Sequence, residues 1–430
     1  MEQFATTIQT YDKWSLSEKV AFRLCLLFFA LHIFPFPLSA IPYADEILSS
    51  GTDKAWSFMV DWSGKNLLHL PEITIKPNGS GDTTWNWVQE FLILVLSVMG
   101  CFLWSIFDRK RLNYKDLSYW TQVCVRYYLG FIMLSYGFAK VFPLQFGNIT
   151  TYRLHQQLGD MSPMGLLWTF MAYSEKYQFF AGAMEVLGGM LLFFRRTQLL
   201  GAVVSFGVML NIFILNMCFD VPVKLYSFLL VLMSLYIMAP DVKRLANFFI
   251  LNQPTEPPSL YIFSKQRWYR ISRIVLKFAF IGFTLYSNIS SGFEDNAKID
   301  APKGAFYGAY SVSKFIKNGV EAPESDTLRW EKTFIDRRGP ADMIYVSNEM
   351  GLRKRINFVK NDTTQTLTFT AYPDTMNYTV FFNNIDTNLL IINGVFQKDS
   401  LHIELNKLKH RPFLLPTRGF HWINELPFNK

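Results

Sequence analysis

Two ionisable residues stand out because each lies within a long apolar run of the sequence. Lys140 lies near the end of the run 119–142, and Glu185 lies eight residues into the run 177–194. A carboxylate inside hydrocarbon must be paired or protonated. Two interpretations stay open. Glu185 could exchange a proton, with Lys140 as its counter-charge or as an anion-binding group, or the two could form an ion pair that only fixes helix register.

Other polar residues near these positions are candidates for binding a ligand. Gly137 lies three residues before Lys140 and therefore on the same face of a helix. The remaining candidates follow in the chain at Asn211, Asn216, Asp220, Lys224 and Tyr226. Alternating crossings would place these side chains and Glu185 in or beside the outer half of a bilayer. The hypothesis is one shared pocket, with Glu185 and Lys140 in the catalytic role.

The elements that must position these residues are membrane helices. Of the 430 residues, 50% are hydrophobic and only 18% are charged, and long apolar runs alternate with short charged segments. This pattern excludes a single water-soluble globule, a disordered chain and a fibrous one. A span needs about 20 apolar residues, and we predict about seven spans, near 17–40, 86–107, 119–142, 177–194, 198–218, 225–240 and 270–290.

Helix start signals add detail to this picture. Ser162-Pro163 should start an interfacial or re-entrant helix over 164–175 that is too short to span a bilayer. Asp82 or Thr83 is expected to cap the second span. The first span lacks a signal-peptide cleavage site, so we interpret it as a retained helix.

The orientation of the spans is predicted from lysine and arginine, because basic loops stay on the cytoplasmic side. Basic clusters occupy every second loop, at 109–111, 195–196, 243–244 and 265–273. The N-terminus is therefore predicted to be cytoplasmic, and everything beyond about residue 291 to be outside. Five glycosylation-type sequons fall on the outer side in this topology, at Asn78, Asn148, Asn288, Asn361 and Asn377.

The sequence shows no pattern typical of a metal site, a thiol-based activity or nucleic-acid binding. The four cysteines are scattered singly, and the six histidines show no HxH or HExxH spacing. We therefore predict no metal site. The net charge of +8 comes from clusters beside apolar runs, so the predicted partner is the lipid bilayer and not nucleic acid.

The composition changes after about Tyr307, where short stretches alternate polar and apolar residues between turn signals. We predict eight strands, near 308–315, 328–335, 342–347, 352–360, 365–371, 377–383, 388–395 and 399–405. An up-and-down barrel, whose first strand resembles that of lipocalin-like barrels, is the first interpretation, and a β-sandwich is the alternative. The predicted domains are a transmembrane domain 1–290, a linker 291–306 and a β domain 307–430.

The third and fourth spans resemble the DoxX family, which has a G-x-x-K helix end and an E-x-x-G-G helix. The matching segments are Arg126-Tyr-Tyr-Leu-Gly130, Gly137-Phe-Ala-Lys140 and Glu185-Val-Leu-Gly-Gly-Met-Leu-Leu-Phe-Phe-Arg-Arg196. The resemblance covers about 119–240, one four-helix unit, and identifies the family's lysine as Lys140 and its glutamate as Glu185. It implies a helical bundle in the bacterial cytoplasmic membrane, linked in some members to thiosulfate:quinone oxidoreduction and distantly to vitamin K-dependent carboxylases.

The chain departs from that family in its extra helices and its outer β domain, and so resembles a longer DoxX-like subfamily of Gram-negative envelopes. Thiosulfate oxidation is not expected, because no paired cysteines exist to carry sulfur. The first hypothesis is a membrane protein whose outer-leaflet pocket binds a lipid-soluble molecule, with a quinone-linked oxidoreductase as the enzyme class. The alternative is a non-enzymatic envelope protein whose helices anchor a β domain that binds a ligand or a protein partner.

Overall fold

The computed structural model describes residues 13–40, 44–73, 79–257, 264, 266–303, 306–338, 341–348, 353–371, 377–384, 388–396, 398–409 and 412–429. The chain forms two compact units. One is helical and contains Met1–Phe138 with Gly182–Asn288, and the other contains Ala139–Ala181 with Ile289–Lys430 and includes the β domain.

The helices are numbered here in chain order. They are α1 Leu16–Ile33, α2 Ala44–Asn66, α3 Thr84–Phe107, α4 Lys115–Val141, α5 Thr151–His155, α6 Pro163–Tyr173, α7 Glu175–Leu192, α8 Gln198–Cys218, α9 Lys224–Met238, α10 Val242–Ala246, α11 Arg267–Asp300 and α12 Leu414–Thr417. A π-helical turn, Asn247–Leu251, continues α10.

Local capping explains where several of these helices begin. Ser15 and Glu18 form a capping box at α1, and Thr83 does the same with Asn86 at α3. Ser162 caps α6, which has proline in its first turn. The predicted short helix after Ser162 is therefore confirmed, and Thr83 is the residue that caps α3.

All seven predicted spans are helical, but fewer than seven are apolar enough to qualify as spans. Among the described residues, four helices are long and apolar enough to cross a membrane, namely Thr84–Phe107, Gln198–Cys218, Lys224–Leu251 and Arg267–Asp300. The predicted count of about seven is therefore not supported by length and composition. The physical reason is that α1, α4 and α7 carry three or four charged residues each.

The segment 41–85, predicted as a loop, contains helix α2. This part of the prediction was wrong because polar residues dominate the helix and hide its apolar stripe. Trp56, Met59 and Val60 recur at helical spacing, and Val60 is fully buried in a cluster with Trp85 of α3.

Small residues let α4 and α7 pack closely. A Cβ atom at Gly189 would lie 2.9 Å from the carbonyl oxygen of Gly130, and one at Gly137 would lie 2.9 Å from that of Gly182. Backbones can approach this closely only where no side chain intervenes. Gly188, the neighbour of Gly189, faces Ser205 of α8.

The β domain is a closed ring of antiparallel strands. The strands are β1 Gly308–Lys317, β2 Val320–Glu321, β3 Lys332–Arg338, β4 Ala341–Ser347, β5 Arg353–Asn361, β6 Thr366–Ala371, β7 Asn377–Asn384, β8 Leu389–Phe396 and β9 Asp399–Lys407. Long strands pair with their neighbours in sequence, and β9 pairs back with β1, while the two-residue β2 pairs with β1. This eight-stranded up-and-down barrel confirms the first interpretation and excludes the β-sandwich.

The interior of the barrel is filled by its own side chains. Ile335, Ile344 and Leu367 are fully buried there among other aliphatic and aromatic residues. An eight-stranded barrel is just wide enough for side chains to fill it. Burial raises the pKa of Tyr310 to about 12, and its hydroxyl donates to the carbonyl oxygen of Phe306 at 2.8 Å. The space inside the strands is thus a packed core.

Two further segments pack onto the barrel within its own compact unit. Buried Asp336 of β3 accepts hydrogen bonds from the backbone N–H of Thr151 in α5, at 2.5 Å, and from Lys303 Nζ, at 2.6 Å. Arg337 donates to the carbonyl oxygens of Lys298 and Ala301 at the end of α11. Helix α11 therefore continues to Asp300, through most of the segment predicted as a linker.

Candidate functional site

The helical unit contains a cavity of about 510 Å³. Its wall is built from the end of α1, from α2, from the start of α3, from one turn of α4 and from the start of α9. The polar side chains on the wall include His32, Asp53, Asn86, Glu90, Tyr136 and Tyr226. Half of the residues that line the cavity are polar or charged, and the rest are mostly apolar. A volume of this size is typical of small-molecule sites.

A histidine and a carboxylate form the most reactive pair on this wall. His32 Nε2 lies 3.0 Å from both carboxylate oxygens of Glu90, and His32 Nδ1 lies 2.8 Å from the carbonyl oxygen of Phe28. A carbonyl oxygen only accepts, so Nδ1 carries a hydrogen. A second proton must then lie between Nε2 and Glu90, on one or the other. His32 is 6% and Glu90 31% exposed, so the carboxylate is the partner that reaches free space.

Tyrosine hydroxyls extend this polar wall towards Glu185. The hydroxyls of Tyr226 and Tyr128 are hydrogen-bonded at 3.2 Å, and the rings of Tyr226 and Tyr136 lie 6.4 Å apart. Glu185 is almost fully buried, and its carboxyl lies within electrostatic range of Tyr136. The predicted catalytic carboxyl thus acts electrostatically on a tyrosine that lines the cavity.

Gly137 acts through packing. It follows Tyr136 on α4, and a Cβ atom there would lie 2.7 Å from Val186 Cγ2, next to Glu185 on α7. The absence of a side chain at Gly137 lets α7 approach α4 and holds Glu185 near Tyr136.

The hairpin between α8 and α9 brings some of the predicted ligand-binding residues together and separates others. Asn216 is buried and donates to Ser227 Oγ at 3.0 Å. Asp220 is 83% exposed and accepts from Lys224 Nζ at 2.9 Å. Asn211 is exposed on α8. Of the polar residues predicted in this region, Tyr226 is the one on the cavity wall.

Asp82 anchors the loop that borders the cavity. Its carboxylate accepts the backbone N–H groups of Lys224, at 2.8 Å, and of Leu225, at 3.0 Å, at the start of α9. The residue preceding α9 is Val223, which offers no side-chain acceptor, so Asp82 supplies the cap from a distant part of the chain. Asp82 or Thr83 was predicted to cap α3. Thr83 caps α3, and Asp82 caps α9.

Lys140 is buried, but it belongs to the compact unit that contains the barrel, whereas Glu185 belongs to the helical unit. It is not among the residues that line the cavity. The predicted role of Lys140 as the counter-charge of Glu185 stays a prediction. Within the described ranges, no three His, Cys, Asp or Glu side chains are grouped to hold a metal ion.

Comparison with known proteins finds a bacterial relative of part of the chain. A segment of 124 residues, 29% of this chain and 79% of the relative, is 36% identical to the uncharacterized protein YwoB of Bacillus subtilis strain 168. The chain belongs to the YwoB family. No family model matches it, and no solved structure matches it. The name of YwoB assigns no activity, so the chemistry of this YwoB-family chain has to be argued from its own residues.

Sequence reasoning missed the two residues that define the site in this YwoB-family protein. His32 and Glu90 both lie inside predicted spans, and an ionisable residue in a span is a functional candidate by default. Applied to every span, that rule would have selected Glu90. The pairing itself was not visible, because 58 positions separate the two residues.

Proposed function

We propose that the chain is a DoxX-like integral membrane protein of the bacterial cytoplasmic membrane whose cavity binds a lipid-soluble molecule. The observation that supports this most strongly is the cavity of about 510 Å³, with the His32–Glu90 pair and Tyr136 on its wall. A ligand that enters from the bilayer would place its apolar part against the helices and its polar head against these groups.

A quinone is the ligand class that fits this wall best, with quinone-linked oxidoreduction as the enzyme class. Quinone ring oxygens accept hydrogen bonds, and the wall offers tyrosine hydroxyls as donors. The proton held between His32 and Glu90 could be passed to a reduced quinone, but within the pair it is already hydrogen-bonded. Glu185 acts electrostatically on Tyr136 and would provide a second carboxyl for holding a proton. In this proposal Glu90 and Glu185 handle protons, and Lys140 retains its predicted role as counter-charge or anion-binding group.

Seven crossings with a cytoplasmic N-terminus and a periplasmic β domain remain part of the proposal. Contacts between loops support it. Trp14 N–H donates to the carbonyl oxygen of Leu112, joining two segments that the topology puts inside. Gly81 N–H donates to the carbonyl oxygen of Pro222, joining two loops that the topology puts outside. In the other unit, α5 and the barrel are in contact, and both are predicted to be outside.

The experiment that tests the proposal is mass spectrometry of organic extracts from the detergent-purified full-length protein. Wild type would be compared with Glu90→Gln, Glu185→Gln and the matched control Glu175→Gln, an exposed residue of α7. We expect an isoprenoid quinone to be enriched in wild type and in the control and to be depleted in Glu90→Gln. Identical bulk-lipid profiles in all four proteins would contradict the proposal.

The alternative is a non-enzymatic anchor whose β domain binds a ligand or an envelope protein partner. The observation in its favour is the C-terminal tail, where Trp422 is 91% exposed beside exposed Phe420 and Ile423. Large exposed apolar side chains often mark interaction sites. Because the barrel interior is filled, such binding would use the tail or the outer barrel surface. Quinone content that depends on residues 412–430 and not on Glu90 would favour this alternative.

A further inference from the structure

A cluster of basic side chains in the helical unit is defined by the electrostatic action of its members on one another. It consists of Arg126 of α4, Arg195 after α7, and Arg273 and Lys277 of α11, and we refer to it as the basic cluster. Arg195 and Arg273 are the charged neighbours that act on Arg126, and Arg273 and Arg126 are those that act on Lys277. These side chains therefore repel one another.

The most buried member of the basic cluster has an unfilled hydrogen-bond donor. Arg126 is 7% exposed, and its Nη1 donates to Gln198 Oε1. Its Nε is buried and has no hydrogen-bond partner among the described residues, although the guanidinium also interacts with the Tyr127 side chain. Burying a charged group is costly unless it is paired and its hydrogen bonds are completed.

Another buried arginine of this unit, Arg23, has hydrogen-bond partners for its guanidinium group. Arg23 donates to the Tyr114 hydroxyl at 2.9 Å, to Ser105 Oγ at 2.7 Å and to the carbonyl oxygen of Asp108 at 2.9 Å. The Tyr114 hydroxyl in turn donates to the Asp108 carboxylate at 2.8 Å. A carboxylate is thus part of the Arg23 network, and that network needs no external anion.

Aromatic rings stabilise Arg126 and Lys277 without cancelling the charges of these two side chains. Arg126 lies over the Tyr127 ring at 5.5 Å, and Lys277 lies over the Phe194 ring at 4.8 Å. Cation–π contacts of this kind favour the cation but leave its net charge in place. These contacts of Arg126 and Lys277 therefore fit a site that is completed by an anion.

We propose that the basic cluster binds a phosphate-type anion. Guanidinium groups bind phosphate oxygens in a forked geometry, and a nearby ammonium adds a point charge. The cluster adjoins the basic loops 195–196 and 265–273 that are predicted to be cytoplasmic, where basic pockets between membrane helices bind anionic headgroups. Arg126 precedes Tyr136 by ten residues, about 15 Å along α4, so this site is separate from the cavity.

Thermal unfolding of the full-length protein in detergent tests this proposal. The probes are phosphatidylglycerol, phosphatidylcholine and inorganic phosphate at equal phosphate concentration. The test variant is Arg273→Gln with Lys277→Gln, because both side chains are partly exposed and their loss leaves Arg126 in place. The matched control is Arg196→Gln with Lys243→Gln, which removes two exposed charges outside the basic cluster.

We expect phosphatidylglycerol to raise the unfolding midpoint of wild type and of the control by several degrees and phosphatidylcholine to leave it unchanged. The test variant should lose at least half of that shift, and Arg273→Lys with Lys277→Arg should retain it. An equal shift from inorganic phosphate would identify a free anion as the ligand in place of a lipid headgroup. Equal shifts in test variant and control, or no shift with either anion, would overturn the proposal.

Discussion

A polar residue in this molecule is structural when its hydrogen bonds are complete and it faces no free space. Asn216 meets that description, since its amide donates to Ser227 and its side chain is buried. Glu90 does not, because it shares a proton with His32 and still reaches the cavity. Glu185 is intermediate, being buried but within electrostatic range of Tyr136. This ranking makes Glu90 the first residue to substitute.

Asp82 provides a prediction at the same scale. Replacing it by alanine leaves the first backbone N–H groups of α9 without their acceptor, and loss of a helix cap costs about 1–2 kcal/mol. We expect Asp82→Ala to lower the free energy of unfolding by that amount, measured by chemical denaturation in detergent. Asp220→Asn is the control and should change it little, because Asp220 is 83% exposed and asparagine tolerates the left-handed backbone conformation of this position. Equal effects of the two substitutions would contradict the capping role.

Some of the site residues could be selected from the sequence and others could not. Tyr226 and Glu185 were selected because the predicted topology placed them at one depth. Tyr226 lines the cavity, and Glu185 acts electrostatically on Tyr136, which also lines it. Depth alone does not determine which face of a helix a residue occupies. Asn211 has the predicted depth but lies on an exposed face of its helix. His32 and Asp82 each form hydrogen bonds with residues far away in the chain. The spacing of residues in the sequence does not reveal such long-range pairs.

At the level of elements, strands were easier to predict than the amphipathic helix near the N-terminus. In the barrel one side of each strand is buried, so polar and apolar residues alternate, and tight turns separate the strands. All eight long strands were found, although β3 begins at Lys332 and not near 328. Helix α2 was missed because its apolar residues form a narrow stripe in a polar segment.

The packing of α4 against α7 makes a second prediction. A Cβ atom at Gly137 would meet the Gly182 carbonyl oxygen and Val186, and backbone cannot move aside cheaply. We expect Gly137→Ala to reduce stability by about 1–3 kcal/mol, seen as a lower unfolding midpoint. Gly207→Ala is the matched control, since a Cβ atom there would have no neighbour within 4 Å and alanine favours a helix. A midpoint for Gly137→Ala equal to that of the control would show that the contact is not tight.

At the level of the whole molecule, the chain combines a helical unit that has a cavity with a barrel whose interior is filled. The helical unit therefore offers the space for a ligand, and the barrel offers its outer surface and the exposed tail around Trp422.

The central claim is that the cavity of the helical unit binds a quinone-type molecule. Photoaffinity labelling of the purified protein with a photoreactive isoprenoid quinone, followed by mass-spectrometric mapping, tests it most directly. The account predicts labelling of cavity residues near Glu90 and Tyr226 that excess unlabelled quinone prevents and that Glu90→Gln weakens. Labelling that is not competed and is spread over exposed apolar residues such as Phe102 and Leu103 would contradict the claim.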